Sequence, residues 1–517
     1  MSLPAARPHR IGITLSAAVL AAVATALFAI FWLLDYRLSH IGASPISQLL
    51  ALDNDTLENT LGNLAQVIVA VLGIAITVVS IVVQLAATRY TSRIADMFFR
   101  DPTNLALLGF FVVACIDAVW VSLTVTRTFV PRITVVVTVL MVTASLLLLV
   151  PYFAHVFAFL DPEKVIERIG EQALAGAFGR RGRQQPAEGQ AQTAANLEHL
   201  ADVAVNAVSQ KDKVIASHAA AELRSVMTRY LAGKAALPTE WFQLGPRIRE
   251  DPDFLALAAD SVTDLERERC WLEWKGLRHF RTIFAEAIEH LPEMSHVVAI
   301  ETRYVGEAAL AAGDRPVAAA TVKFLNTFLR EALNARAVRA CYNVLHQYRQ
   351  FAERLVEERH DREVAEIGHH FRYYAQLAYA KEQGFVTETV AYDLSALCEV
   401  AFARQSPSHA ELLRTFMEVD KEAETSADEK TLRGVRKAQI KLATFYLLRG
   451  ADDDARVIYH DMQQERPARL HSIRNELLGI NAKDFWEVTD RGVNFDYLDD
   501  ARRAQLDRFF GWFSGAP

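Results

Sequence analysis

One carboxylate interrupts an otherwise uncharged part of the chain and is the first candidate for chemistry. Asp117 lies in the apolar stretch Leu105–Val125, which holds no other charged residue. A carboxylate at membrane depth is costly, so such groups usually pair, face a bundle interior or line an ion or proton path. We expect Asp117 either to handle a proton or a cation, or to be a structural carboxyl hydrogen-bonded between helices.

Polar side chains in the neighbouring apolar stretches are the candidate partners of this acid. Asn63 and Gln66 stand near one end of the preceding stretch, and Gln84 lies near its other end. Thr138 and Thr143 occupy the following stretch. Because no second charged residue is expected at a similar depth, the pattern favours neither a transporter nor a relay by itself.

A second group of charged side chains follows the second apolar stretch at helical steps: Arg89, Arg93, Asp96, Arg100 and Asp101. Arg89 and Arg93 share a helix face, and Arg93 can pair with Asp96 three residues on. Pro102 is expected to stop this helix. The group is either an arm that couples the membrane segments to the rest of the chain, or a set of arginines that extend into lipid headgroups.

The usual signatures of enzymes and metal sites are missing from the sequence. His369 and His370 are adjacent and point about 100° apart on a helix, so they cannot ligate one metal together. His279 near Glu273 is expected to be structural. The cysteines stand far apart, without metal-ligand or redox spacing: Cys115, Cys270, Cys341 and Cys398. We expect no catalysis, no metal and no cofactor, and the net charge of −7 argues against nucleic-acid binding.

The elements that must position these residues are four apolar stretches: Ile11–Leu34, Leu61–Ala87, Leu105–Val125 and Ile133–Leu160. A helix needs about 20 apolar residues to cross a bilayer, and each stretch is long enough. The first is longer than a signal-peptide core, which favours an uncleaved anchor. The sequence therefore predicts a four-helix transmembrane region over residues 1–160.

Basic residues in the short connections predict the orientation of these spans. They cluster before the first span, after the second and after the fourth, with Arg127 and Arg132 in the third connection as the exception. Both termini are therefore expected on the cytoplasmic side of the inner (plasma) membrane.

The remaining chain reads as helical almost throughout, so the predicted fold class is all-α. We expect a juxtamembrane helix and a flexible, Gly- and Gln-rich linker over residues 161–196, then a helical cytoplasmic domain over residues 197–517. Residues 436–469 have the spacing of one tetratricopeptide-like unit, including Leu442, Tyr446 and Pro467. A solenoid-like body with a partner-binding surface is one interpretation, and an ordinary helical core is the other.

The segment Phe485–Leu498 is denser in mixed aromatic and polar residues than the chain before it. It is either a docking or ligand loop, or a strap that holds the C-terminus to its own domain.

Residues 78–94, VVSIVVQLAATRYTSRI, are followed by Phe98-Phe99-Arg100-Asp101 and then by Gly109-Phe110-Phe111. This pattern resembles the predicted membrane protein family called domain of unknown function 2254, although the family's proline is missing from Thr91-Ser92-Arg93. The resemblance covers about residues 10–175. It implies a membrane topology and no activity.

Two functions follow from these patterns. The first is a membrane-tethered helical scaffold or sensor whose cytoplasmic domain binds a protein partner. The alternative is a homo-oligomeric ion channel or transporter, gated by that domain, with Asp117 near the permeation path.

Overall fold

The structure is a computed structural model that describes residues 22–34, 36–37, 54–89, 98–99, 101–124, 131–159, 161–179, 185–420 and 429–514. All regular structure in these ranges is helical, which confirms the all-α prediction. The chain divides into two compact units, with the boundary between Val165 and Ile166. We call them the membrane unit and the body.

The membrane unit contains four described helices: α1 (Ala22–Leu34), α2 (Asn54–Arg89), α3 (Pro102–Thr124) and α4 (Arg132–Phe159). In the described ranges α2, α3 and α4 are long and apolar enough to cross a membrane. Residues 11–21 of the first predicted span lie outside those ranges, so the fourth span stays a prediction.

Small side chains let these helices approach closely. The core shared by α2, α3 and α4 consists of Ala65, Ile68, Cys115, Ala118 and Val142. Phe28 of α1 packs against Val121 of α3 and Val135 of α4. This packing fixes α3 against α4, the two helices that position Asp117.

The helix after the membrane spans is α5 (Pro162–Phe178), as expected for a juxtamembrane helix. The body continues with α6 (Pro186–Ser209), α7 (Lys213–Gly233), α8 (Ala259–Arg267), α9 (Trp271–His290), α10 (Glu293–Ala311), α11 (Arg315–Asn334), α12 (Val338–Glu357), α13 (Asp361–Ala380), α14 (Gly384–Ala403), α15 (His409–Met417), α16 (Glu429–Leu448), α17 (Asp452–Asp461), α18 (Pro467–Gly479) and α19 (Leu506–Ser514).

The helices of the body stack as antiparallel hairpins in two layers. One layer consists of α6, α9, α11, α13 and α15, and the other of α7, α10, α12, α14 and α16. Each helix packs against its neighbours in its own layer and against its hairpin partner in the other. We call the second layer the tail-facing layer, because the C-terminal segment lies against it.

A constant spacing underlies this stack. Gly313, Arg336, Arg359, Glu382 and Gln405 all have positive φ angles and follow one another at intervals of 23 residues. A left-handed residue after a helix satisfies its last carbonyl groups and turns the chain. A hairpin of two such helices spans twice this interval, which exceeds the tetratricopeptide period of about 34 residues. The tetratricopeptide interpretation of residues 436–469 stays a prediction.

The prediction of a flexible linker is wrong for residues 186–196, because these residues belong to α6, which begins at Pro186. Gln190, Thr193 and Asn196 are buried on one face of this helix. The amide of Gln190 donates to the carbonyl oxygens of Trp241 (2.8 Å) and Gln243 (2.7 Å). Thr193 donates to the Ala173 carbonyl oxygen on α5, and Asn196 donates to that of Gln192 on its own helix. Polar residues that composition assigns to solvent are buried here, because their side chains satisfy backbone carbonyl groups.

Candidate functional site

Asp117 is buried between two helices of the membrane unit, at 3% exposure. Its Oδ2 lies 2.6 Å from Oγ1 of Thr138 on α4. The same hydroxyl lies 3.0 Å from the carbonyl oxygen of Thr134, and its single proton serves one of these two acceptors at a time. Thr138 was one of the predicted partners, whereas Thr143 donates to Val139 of its own helix.

The other intramembrane candidates do not converge on this acid. Asn63, Gln66 and Gln84 are exposed on α2, and no side-chain hydrogen bond joins them to any part of the chain that the structure describes. Together with Thr77 and Ser80 they follow one another at steps of three, eleven, three and four residues, which place them on one helix face. Thus α2 presents a polar face away from the core that it shares with α3 and α4.

The proposed coupling arm is only partly described. Arg89 is the last residue of α2, and Arg93, Asp96 and Arg100 lie outside the described ranges, so coupling stays a prediction. Asp101 caps the start of α3, where its Oδ2 accepts from the Asn104 backbone N–H at 2.9 Å. Pro102 begins α3, and Asp101 before it is not helical.

Asp101 also belongs to a polar cluster that the sequence reasoning missed. Its Oδ2 lies 3.0 Å from Nε2 of His155 on α4. The Tyr152 hydroxyl donates to Oδ1 of buried Asn104 at 3.0 Å, and the Asn104 amide donates to the Phe98 carbonyl oxygen. The available signal was the three-residue step from Tyr152 to His155, which puts both on one face of α4.

We predict that Thr138→Val destabilises the membrane unit by about 1–3 kcal/mol, because it leaves the buried carboxylate of Asp117 without its partner. Asp117→Asn should cost less, since the amide can donate to the Thr138 hydroxyl. Maleimide labelling of buried Cys115 on α3, read by peptide mass spectrometry during heating, measures both. Thr143→Val is the matched control, and equal losses for the two threonine variants would contradict a structural pairing.

In the body, the C-terminal segment is held against the tail-facing layer. We call residues 480–499 the tail. Asp490 accepts hydrogen bonds from Arg339 at 2.8 Å and from Asn343 at 2.9 Å, both on α12. The hydrogen bonds from Arg339 lower the pKa of Asp490 to about 2, so this anchor is ionised at neutral pH.

Arg491 is the most deeply buried charged group of the tail, at 3% exposure. Its guanidinium binds both carboxylate oxygens of Asp393 on α14, at 2.6 and 3.1 Å, and donates to the Tyr342 carbonyl oxygen. It also lies over the Tyr342 ring, 4.2 Å from the centroid. Because Nε of Arg349 contacts the same Asp393 at 3.0 Å, one carboxylate serves two arginines.

An aromatic contact continues the attachment. The rings of Phe495 and Tyr392 stack with centroids 4.7 Å apart and 19° between their planes. Asp496 accepts from Lys437 at 2.8 Å and from the Tyr392 hydroxyl. The tail is therefore pinned to α12, α14 and α16.

One part of the tail projects from this attachment. Trp486 is 79% exposed and Val488 is fully exposed. The rings of Phe485 and Trp486 stack with centroids 3.9 Å apart. The Asn494 N–H donates to the Lys483 carbonyl oxygen at 3.0 Å and closes the loop. We call Phe485, Trp486 and Val488 the apolar knob.

The histidines that might suggest an enzyme lie in separate contacts. His369 pairs with Glu411 at 3.0 Å, and Nδ1 of His370 lies 3.1 Å from the Asn326 amide. Burial lowers the pKa of His279 to about 4 and raises that of Glu273, which contacts Lys234, to about 7. No cluster of three metal-ligating side chains occurs in the described ranges.

The fold and these contacts define an all-helical membrane protein with a hairpin-stacked body. Residues 10–236 match the family described as predicted membrane protein (DUF2254). This confirms the resemblance and extends it beyond residue 175, to three residues past the end of α7. No curated protein and no solved structure matches the chain.

Proposed function

We propose that this protein is a membrane-tethered scaffold or sensor whose body binds a protein partner through the apolar knob. The observation that carries the proposal is the exposure of Trp486 and Val488 on a loop whose two ends are fixed. The body would lie in the cytoplasm, as the basic connections predict. The proposal assigns it no catalytic step and no cofactor.

The knob has the properties of an interface anchor. Tryptophan is enriched among residues that dominate binding energy, and a fixed loop loses little conformational entropy on binding. The hydrogen bond at Lys483 and the ion pair at Asp490 already hold the loop in place. An apolar cluster that projects from a protein in water also carries a solubility cost, which a partner would remove.

We expect Trp486→Ala to reduce recovery of a co-purifying partner from native membranes about tenfold or more, because truncating an anchor costs roughly 2 kcal/mol or more. Quantitative mass spectrometry of the purified complex measures this. Leu255→Ala, which truncates a side chain of 66% exposure elsewhere on the body, is the control. Equal partner recovery from wild type and Trp486→Ala would overturn the proposal.

A second candidate, the oligomeric channel or transporter, is favoured by the polar face of α2. Asn63, Gln66 and Gln84 could line a path between copies of this helix. Asp117 would then lie inside each protomer and not on that face. Conductance or proton flux in reconstituted vesicles that falls in Gln84→Leu would support this candidate, and vesicles that stay tight with wild-type protein would remove it.

A further inference from the structure

A cavity of about 390 Å³ lies where the tail meets the tail-facing layer. Its charged lining is unbalanced, with four cations and two carboxylates: Arg349, Lys441, Arg491, Arg502, Asp393 and Glu399. His346 also lines the cavity, and because burial lowers its pKa to about 4, it is neutral at pH 7. We call this cavity the tail pocket.

The arginines of the pocket already have counterions. Arg502 binds both oxygens of Glu399, at 2.7 and 2.6 Å. Arg349 and Arg491 share Asp393, and Arg349 also contacts Glu353 on its own helix. The two carboxylates of the lining are therefore fully used by arginines.

Lys441 is the cation of the pocket lining that has no carboxylate partner among the described residues. Its Nζ donates to the Phe495 carbonyl oxygen at 2.8 Å, and within the described ranges no carboxylate lies at ion-pair distance. The side chain is half-buried on α16, and burial lowers the pKa of its ammonium group. Partial burial of a cation without an anion is costly, so stabilisation of the fold alone does not explain a lysine at this position.

No acid stands one helical turn after Lys441 to pair with it. Arg303 pairs with Glu307 and Arg349 pairs with Glu353, each four residues further along the helix. The residue four positions after Lys441 is Phe445, whose ring offers no counterion.

One donor in the pocket wall is unsatisfied. Nε of Arg491 is buried and has no hydrogen-bond partner within the described ranges, and the Arg491 side chain is only 3% exposed. Buried donors are normally paired, so this N–H is available to a bound acceptor. The stacked rings of Tyr392 and Phe495 also line the pocket, so it combines positive charge with an aromatic wall.

We propose that the tail pocket binds a small oxyanion-bearing solute, with a phosphoryl or carboxylate group, through Lys441. Lysine acts as a point charge with several donors, which suits either group. Because the tail and α16 both contribute to the pocket, the bound solute would fasten the tail to the layer. This deepens the proposed sensor function by naming the class of ligand, while binding itself requires no protein partner.

The test uses the full-length protein in detergent, titrated with sodium phosphate or sodium acetate at constant ionic strength. We expect a saturable rise in the unfolding temperature of the body with at least one of the two ions. Lys441→Met should weaken the apparent Kd about tenfold or more, because it removes a charge-assisted hydrogen bond. Without added ion, Lys441→Met should unfold no earlier than wild type.

Two further variants keep the outcome decisive. Lys483→Met removes an exposed tail lysine outside the pocket and should respond to the ions like wild type. Lys441→Arg retains the charge and should still bind, even if Lys441→Met proves unstable. The proposal is overturned if neither ion gives a saturable effect, or if wild type and Lys441→Met respond alike. Because partner recovery is not measured, failure here leaves the proposed function of the knob intact.

Discussion

Asp393→Ala should lower the unfolding free energy of the body by about 3–5 kcal/mol, because it leaves two cations without their shared counterion. Arg349 and Arg491 both contact this carboxylate, which is itself buried. Maleimide labelling of the buried thiols Cys341 and Cys398, followed across a urea series in native membranes, measures the loss. These cysteines lie on α12 and α14, the helices that Arg349 and Asp393 join.

Asp452→Ala is the matched control for this measurement. Asp452 pairs with Arg508 at 2.6 Å, but both side chains are partly exposed, at 39% and 47%. Exposed ion pairs contribute roughly 0–1 kcal/mol, so this variant should change the urea midpoint little. Similar losses in the two aspartate variants would show that the shared carboxylate has no special importance.

Arg491→Ala should release the tail while the helices stay folded. Arg349 remains beside Asp393 after this change, so the carboxylate keeps a counterion and the stack keeps its core. The tail loses a bidentate ion pair and the contact with the Tyr342 ring, worth together about 2–3 kcal/mol. Amide hydrogen exchange of residues 483–499 in the full-length protein should therefore accelerate about 30-fold or more.

Arg339→Ala serves as the control for tail release. This arginine binds Asp490 bidentately but is 60% exposed, so it should accelerate exchange much less than Arg491→Ala. Exchange that accelerates equally in α14 and in the tail would mean that Arg491 holds the helical stack itself. Unchanged exchange of residues 483–499 would show that the tail is held by its other contacts.

The membrane helices were predictable because a bilayer restricts both the length and the charge of a helix that crosses it. A helix that crosses a bilayer must be long and uncharged, and the ends of the predicted stretches Leu61–Ala87, Leu105–Val125 and Ile133–Leu160 lie within seven residues of the ends of α2, α3 and α4. Thr138 could be anticipated as a partner of Asp117 because it stands in the adjacent span. Asn63 and Gln66 were equally plausible by depth, and only the rotation of α2 about its axis separates them from the acid.

The layered body was harder to predict, because most of the residues that end its helices in the left-handed conformation are not glycines. Arg336, Arg359, Glu382 and Gln405 adopt the left-handed conformation that glycine or asparagine usually signals. The composition around residues 185–196 likewise predicted a solvent-exposed segment. The amide of Gln190 is instead buried and donates to a backbone carbonyl group in a loop about 50 residues further along the chain.

The tail pocket could not be found from sequence at all. Its ion pairs join residues about 100 positions apart, such as Arg491 with Asp393 and Arg502 with Glu399. Arginine and acidic residues are frequent along this chain, so no local spacing distinguishes these pairs from surface charges. That Lys441 has no carboxylate partner within the described ranges becomes apparent only when the neighbouring carboxylates have been assigned to arginines.

Site-specific photo-crosslinking in intact cells tests the central claim most directly. A benzoylphenylalanine placed at Val488 reports on the knob, and one at Val214, which is 63% exposed on α7, reports on the body at large. A discrete protein adduct from position 488, absent from position 214 and abolished by Trp486→Ala, is the predicted result. No adduct at position 488, or the same adducts at both positions, would contradict a partner-binding knob.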